Sequence, residues 1–145
     1  MTPEELKDRT KEFALRIIRL AEALPRTRAG DIIARQLIKA GTSVAANYRA
    51  ACRAKSNADF ISKMGIVEEE ADESGFWLEM IVDGSLMRKG LVSDLLKESQ
   101  ELLAIAVASS NTARGRPRGW GPSGSAARRK SAIRNPQSAI HNGTE

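Results

Sequence analysis

One repeat, between residues 33 and 81, constrains the fold of this 145-residue chain more than any other feature. Apolar or small residues recur there at alternating steps of four and three, which places them on one side of an α-helix and excludes a strand. The members are Ile33, Leu37, Ala40, Val44, Asn47, Ala51, Ala54, Phe60, Met64, Val67, Ala71, Ser74, Leu78 and Ile81. The repeat breaks only at residues 55–57, where Ser56 can cap a new helix with Asp59 three residues on. The stretch therefore predicts a helical hairpin.

The same spacing extends to both sides of the hairpin. Thr2 can cap a first helix that Pro25 ends, and Ser93 can cap a fourth helix with Asp94 in its first turn. Because the connections are short, we predict an all-α fold, an antiparallel up-and-down four-helix bundle over residues 1–111. The predicted helices span residues 3–24, 28–54, 57–86 and 93–111.

Polar and small residues interrupt the apolar side of these helices. Gly41 lies in a run of small residues and costs about 1 kcal/mol of helix stability relative to Ala, which predicts the close approach of a neighbouring helix. Asn47, Ser74 and Thr10 fall where apolar residues are expected. A buried Asn must hydrogen-bond, so we interpret Asn47 as a structural residue, with ligand binding as the alternative.

Residues 112–145 differ in kind from the rest of the chain. They are rich in Gly, Ser, Pro and Arg and lack hydrophobic periodicity, so we predict a disordered tail. The tripeptide Ser-Ala-Ile occurs there twice, at residues 131–133 and 138–140. We interpret the tail as a dispensable extension, with a functional basic arm as the alternative.

The net charge of +5 is unevenly distributed. The tail has seven basic residues and one acid, so the high isoelectric point is a property of the tail. Residues 1–56 have 12 basic and 6 acidic side chains, whereas residues 57–111 have 4 and 11. One half of the bundle is therefore basic and the other acidic.

The basic residues of the first half recur at helical spacing. Arg35 and Lys39 are four residues apart, as are Arg49 and Arg53, and the two pairs lie about 21 Å apart along one side of a helix. Such a stripe can follow the phosphates of a nucleic acid; the alternative is a solvated face that a neighbouring subunit partly neutralises. The candidate nucleic-acid-binding residues are Arg16, Arg19, Arg26, Arg28, Arg35, Lys39, Arg49 and Arg53.

Several functional classes are disfavoured by composition. The only histidine, His141, lies in the tail, so the bundle has no imidazole for acid–base catalysis or metal binding. One cysteine, Cys52, excludes an internal disulfide. The chain has neither an apolar run long enough to span a membrane nor the core of a signal peptide, so we expect a soluble cytoplasmic protein.

Two further features leave alternatives open. Apolar residues cover more than one face of the third helix at residues 76–82, which predicts a subunit interface. Acidic pairs on the third and fourth helices can in principle hold magnesium, as in helical nucleotide pyrophosphohydrolases; the alternative is a solvated acidic face. The acidic pairs are Glu70 with Glu73 and Glu98 with Glu101.

Two ordered sets of residues resemble the four-helix-bundle family of 23S rRNA-intervening-sequence proteins, over roughly residues 5–111. The first set, on the second helix, is Gln36, Leu37, Ala40, Ser43, Val44 and Asn47. The second set, on the third helix, is Ser56, Asp59, Phe60, Ile61, Glu70, Glu73, Ser74, Trp77 and Leu78. Many members of the family have Glu two or three residues after the Asn, where this chain has Arg49 and Ala50, and the tail has no counterpart.

The resemblance implies a cytoplasmic bacterial bundle that assembles as a ring, a pentamer, with no enzymatic activity and no cofactor. Some members are encoded within insertions in 23S rRNA genes. A related group, the accessory proteins of diversity-generating retroelements, binds nucleic acid and the reverse transcriptase through a basic surface.

From these observations we predict a non-enzymatic homo-oligomer that binds nucleic acid, RNA above all, through the basic residues of the first two helices. The first alternative is an adaptor ring that presents a surface to another protein. The second alternative is a magnesium-dependent nucleotide hydrolase. No metal is expected in the first two cases, and no membrane is expected as a partner in any of them.

Overall fold

The computed structural model describes residues 1–115, and the predicted tail from residue 116 onward lies outside them. Within that range the chain is all-α and has no strand, which confirms the predicted fold class. The helices are α1 (Pro3–Glu22), α2 (Arg28–Cys52), α3 (Asn57–Asp83) and α4 (Lys89–Ala113). Each helix packs against the next one along the chain, and α4 returns to α1, so the helices form an up-and-down bundle.

Local capping explains where the first three helices begin. The Thr2 hydroxyl accepts a hydrogen bond from the Glu5 amide at 3.1 Å, and the Glu5 carboxylate accepts one from the Thr2 amide at 2.7 Å. Ser56 accepts a hydrogen bond from the Asp59 amide at 3.0 Å, as predicted. Thr27 caps α2 in the same way. These bonds satisfy amides that a helix start otherwise leaves without a partner.

The predicted start of α4 is wrong. This helix begins at Lys89, its N-cap is Arg88, and no side chain caps it, so Ser93 lies one turn inside the helix. Val92 is fully buried, and packing of this residue extends α4 towards its N-terminus in the absence of a capping side chain. At the other end α4 continues to Ala113, so the first two residues of the predicted tail are helical.

The buried side of the hairpin agrees with the repeat at all but a few positions. On α3, every member from Met64 to Ile81 is buried. On α2, Asn47 is half-buried, and its neighbour Tyr48 occupies the core instead. The buried hydroxyls of Thr10 and Ser74 donate hydrogen bonds to backbone carbonyls of their own helices, so no ligand is needed to satisfy them.

Gly41 allows α1 and α2 to approach closely, as the run of small residues predicts. A Cβ atom added to Gly41 would lie 2.8 Å from Cγ2 of Ile17, a side chain on α1 that is fully buried.

No helix within residues 1–115 is long and apolar enough to cross a membrane.

Candidate nucleic-acid interface

The positive charge of the first half lies on α2 and its flanking connections. Residues 1–25 have five basic and five acidic side chains and are neutral overall. Residues 26–56 have seven basic side chains and a single acid, Asp31. The excess charge is therefore associated with one helix rather than shared between two.

The exposed side of α2 bears a row of basic side chains. Leu37, Val44 and Tyr48 point into the core, and at about 100° per residue the opposite side of the helix bears the cations. All five are exposed: Arg28, Arg35, Lys39, Arg49 and Arg53. We call these five residues the α2 basic face. After Asp31, α2 has no carboxylate, and none of the five forms an ion pair with a residue in the range 1–115.

Arg26 and Arg28 lie at the start of this face. Arg26 donates a hydrogen bond to Asp31 at 3.1 Å, and both side chains are largely exposed, so the ion pair contributes little to stability. A phosphate can therefore compete for Arg26 at low cost. Arg28 opens the first turn of α2 and has no such partner among the described residues.

The structure separates Arg16 and Arg19 from the α2 basic face. Arg16 follows Arg9 by seven residues, about two helical turns, and so lies on the side of α1 that Arg9 turns towards α4. Arg19 is bound to Glu12 of the same helix at 3.2 Å. Of the eight predicted residues, those of α2 and its preceding connection therefore lie together, and those of α1 lie elsewhere.

The C-terminal end of α2 forms an open depression of about 690 Å³ against the start of α3. Arg49 and Arg53 line it from α2, Lys55 from the connection and Lys63 from α3. Asp59 is the one acid in the lining. Its carboxylate forms an ion pair with the Lys63 ammonium at 3.6 Å and accepts a hydrogen bond from the Lys55 backbone amide at 3.2 Å. Lys55 and Lys63 were missed by the sequence analysis, because neither follows the spacing of α2.

Lys39 lies near an acidic side chain of the neighbouring helix. Burial raises the pKa of Glu70, the Glu73 carboxylate raises it further, and Lys39 lowers it by attraction. Glu70 therefore places negative charge beside the middle of the α2 basic face. The two ends of the face have no comparable neighbour within residues 1–115 other than Asp31 and Asp59.

The four glutamates of the alternative magnesium site do not converge. Glu98 and Glu101 both bind Arg9 of α1, at 2.7–2.8 Å, and these bonds raise the pKa of the guanidinium. Their role is to join α1 to α4. Within residues 1–115 no group of three His, Cys, Asp or Glu side chains is placed to hold a metal ion.

The predicted apolar surface of α3 is smaller than the sequence indicates. Leu78 and Ile81 are fully buried in the core, and Trp77 is half-buried. Phe76 and Met80 remain exposed, at 40% and 38%. The Phe76 and Trp77 rings meet edge to face with centroids 4.9 Å apart.

Comparison with known proteins agrees with the residue pattern. The family model of 23S rRNA-intervening sequence proteins matches residues 5–108. The chain belongs to this family. A similar fold is found in the crystal structure of a protein of unknown function from Bacteroides thetaiotaomicron, which belongs to the S23 ribosomal protein family. The two sequences are 31% identical. The alignment covers 77% of this chain and 99% of that one, with a TM-score of 0.71. No curated protein matches.

The motif residues of this intervening-sequence family member make contacts within the bundle. The Asn47 amide donates to the Ser43 carbonyl at 2.9 Å and to its hydroxyl at 3.2 Å. The Trp77 indole donates to Glu73 at 3.3 Å. Gln36 is half-buried on α2. These contacts are made within single helices, which supports the structural interpretation of Asn47.

Proposed function

We propose that this protein binds nucleic acid, in the first place RNA, by neutralising phosphates along α2. The observation that supports this is the α2 basic face, whose five cations are exposed and free of ion pairs within the described residues. From Arg28 to Arg53 the face extends about 37 Å, which is long enough to contact several successive phosphates.

Binding of this kind does not read the base sequence. Phosphate contacts fix the position of a strand but do not discriminate between bases. The only aromatic residue on α2 is Tyr48, which is buried and therefore cannot stack on bases. Sequence-tolerant binding is the expected behaviour.

The protein acts, in this proposal, as a homo-oligomer in the cytoplasm and without catalysis. Phe76 and Met80 form a small exposed apolar surface on α3, which suits contact with another copy of the chain. This same surface supports the second candidate, an adaptor that binds another protein. The exposed thiol of Cys52 is compatible with a reducing compartment.

A salt titration tests the proposal. We expect the affinity for a single-stranded RNA to fall with salt, with a slope of log K against log salt of about −3 or steeper if the five cations contact phosphates. Two oligonucleotides of unrelated sequence should give the same slope. An affinity that does not change with salt, or no binding at low salt, would refute phosphate neutralisation.

Incubation with nucleoside triphosphates and magnesium, with no phosphate released, would support the absence of catalysis.

Replacing Glu70 by Gln should strengthen both RNA binding and folding. The variant removes the negative charge beside Lys39, so we expect RNA to bind about twofold to fivefold tighter. The pKa of Glu70 is raised in the folded state above its ordinary value of 4.5. At pH values above 4.5 the ionised carboxylate therefore destabilises the fold. The gain in unfolding free energy should therefore be present at pH 7 and fade as the pH falls towards 4.5. Glu79→Gln, on the same helix and exposed, is the matched control, because Glu79 does not contribute to the pKa of Glu70.

A further inference from the structure

The depression at the end of α2 has a different arrangement of charge from the rest of the α2 basic face. Its four cations come from three consecutive parts of the chain, so they surround a space instead of following a line. With the single carboxylate of Asp59, they give the depression a net charge of +3. Both oxygens of that carboxylate are already engaged, by the Lys63 ammonium and the Lys55 amide, which leaves Arg49 and Arg53 available.

The floor of the depression is small and apolar. The two apolar residues of the lining are Ala46 and Ala50, one turn apart on α2, so no long apolar side chain fills the space of about 690 Å³. The depression is open to solvent and large enough to admit a phosphate group. The lining offers only cationic donors at its rim, and neither alanine can hydrogen-bond a base edge through its side chain.

We infer that this depression binds a terminal phosphate, the monoester at the end of a nucleic-acid strand or on a free nucleotide. A phosphomonoester carries a charge of about −1.5 to −2 at neutral pH, whereas a phosphodiester within a strand carries one. A cluster of four cations with a net charge of +3 favours the more highly charged group. The remaining cations of the face, Arg28, Arg35 and Lys39, then contact diesters. The strand-end form of this inference depends on the proposed function.

The test compares one oligoribonucleotide with a 5′-phosphate and with a 5′-hydroxyl, bound to the full chain at fixed salt. We expect the phosphorylated strand to bind about fivefold tighter or more, because its terminal phosphate adds a charge of about −1.5 to −2 near the cluster. Ala50→Glu places a carboxylate in the floor and should abolish this preference. Arg49→Gln with Lys63→Gln should do the same without altering the floor. Arg35→Gln with Lys39→Gln is the control, which should weaken both strands equally and retain the preference.

Each outcome separates this inference from the proposed function. Equal binding of the two strands, or a preference that persists in both depression variants, would overturn the inference and leave α2 as a binding face. If neither strand binds, the proposed function fails, and thermal unfolding with AMP or adenosine decides the inference. The inference holds for a free nucleotide if AMP stabilises the protein, adenosine does not, and the stabilisation is lost in Ala50→Glu and in the Arg49–Lys63 double variant. No stabilisation by AMP would overturn it.

Discussion

Replacing four cations of the α2 basic face by Gln should weaken RNA binding at least about tenfold near 100 mM salt. The four are Arg35, Lys39, Arg49 and Arg53, introduced into a chain that ends at Gly115. Each cation that contacts a single-stranded phosphate contributes about 0.7 to the salt slope, so the slope should become shallower by about 3. All four side chains are exposed and form no ion pair within residues 1–115, so the fold should be unaffected.

A matched variant distinguishes a site from overall charge. The control replaces four exposed cations outside α2 by Gln and so removes the same amount of charge. These residues are Lys11, Arg19, Lys89 and Lys97. We expect this control to keep most of the affinity and nearly the whole slope, measured by fluorescence anisotropy over the same salt series. If the control lost as much affinity as the α2 variant, binding would reflect net charge and no surface would be assigned.

The same substitution at two glycines should change stability in opposite directions. Gly65 lies inside α3 with open space where a Cβ atom would be, so Gly65→Ala should stabilise the bundle by about 0.5–1 kcal/mol. Gly41→Ala would place Cβ against the Ile17 side chain, 2.8–3.0 Å from three of its carbon atoms. Overpacking of this kind costs about 1–3 kcal/mol, and Gly41→Val should cost more. Urea unfolding measures both.

A double variant tests whether Ile17 is the cause. Ile17→Ala alone should cost about 2–5 kcal/mol, since Ile17 is fully buried. Combined with Gly41→Ala it should cost less than the sum of the two, because the alanine at position 41 then occupies the vacated space. Strict additivity would show that the helices do not meet at this point, and the packing of α1 on α2 would need to be revised.

The fold could be predicted largely because the buried residues follow one helical repeat. Leu37, Val44, Leu78 and Ile81 are buried as their spacing requires, and Ser56 caps α3 where the repeat breaks. The start of α4 could not be predicted, since Arg88 is an N-cap without a capping side chain and burial of Val92 determines the boundary.

The candidate site was less accessible to sequence reasoning. Spacing along α2 is enough to place Arg35, Lys39, Arg49 and Arg53 on one side of that helix. Spacing along one helix says nothing about residues contributed by other elements, which is why Lys63 was missed. Likewise, the glutamates of α4 are a pair in sequence, but only the packing of α1 shows that Arg9 binds both.

The most direct test of the account compares RNA binding by the full chain with binding by the chain ending at Gly115, over a series of salt concentrations. Residues 116–145 have six basic side chains and one acid, so they can bind RNA independently of the bundle. We expect the shorter chain to bind RNA with a salt slope of about −3 or steeper, and the four α2 substitutions to remove most of that slope. Binding by the full chain alone would contradict this expectation and transfer the activity to the tail.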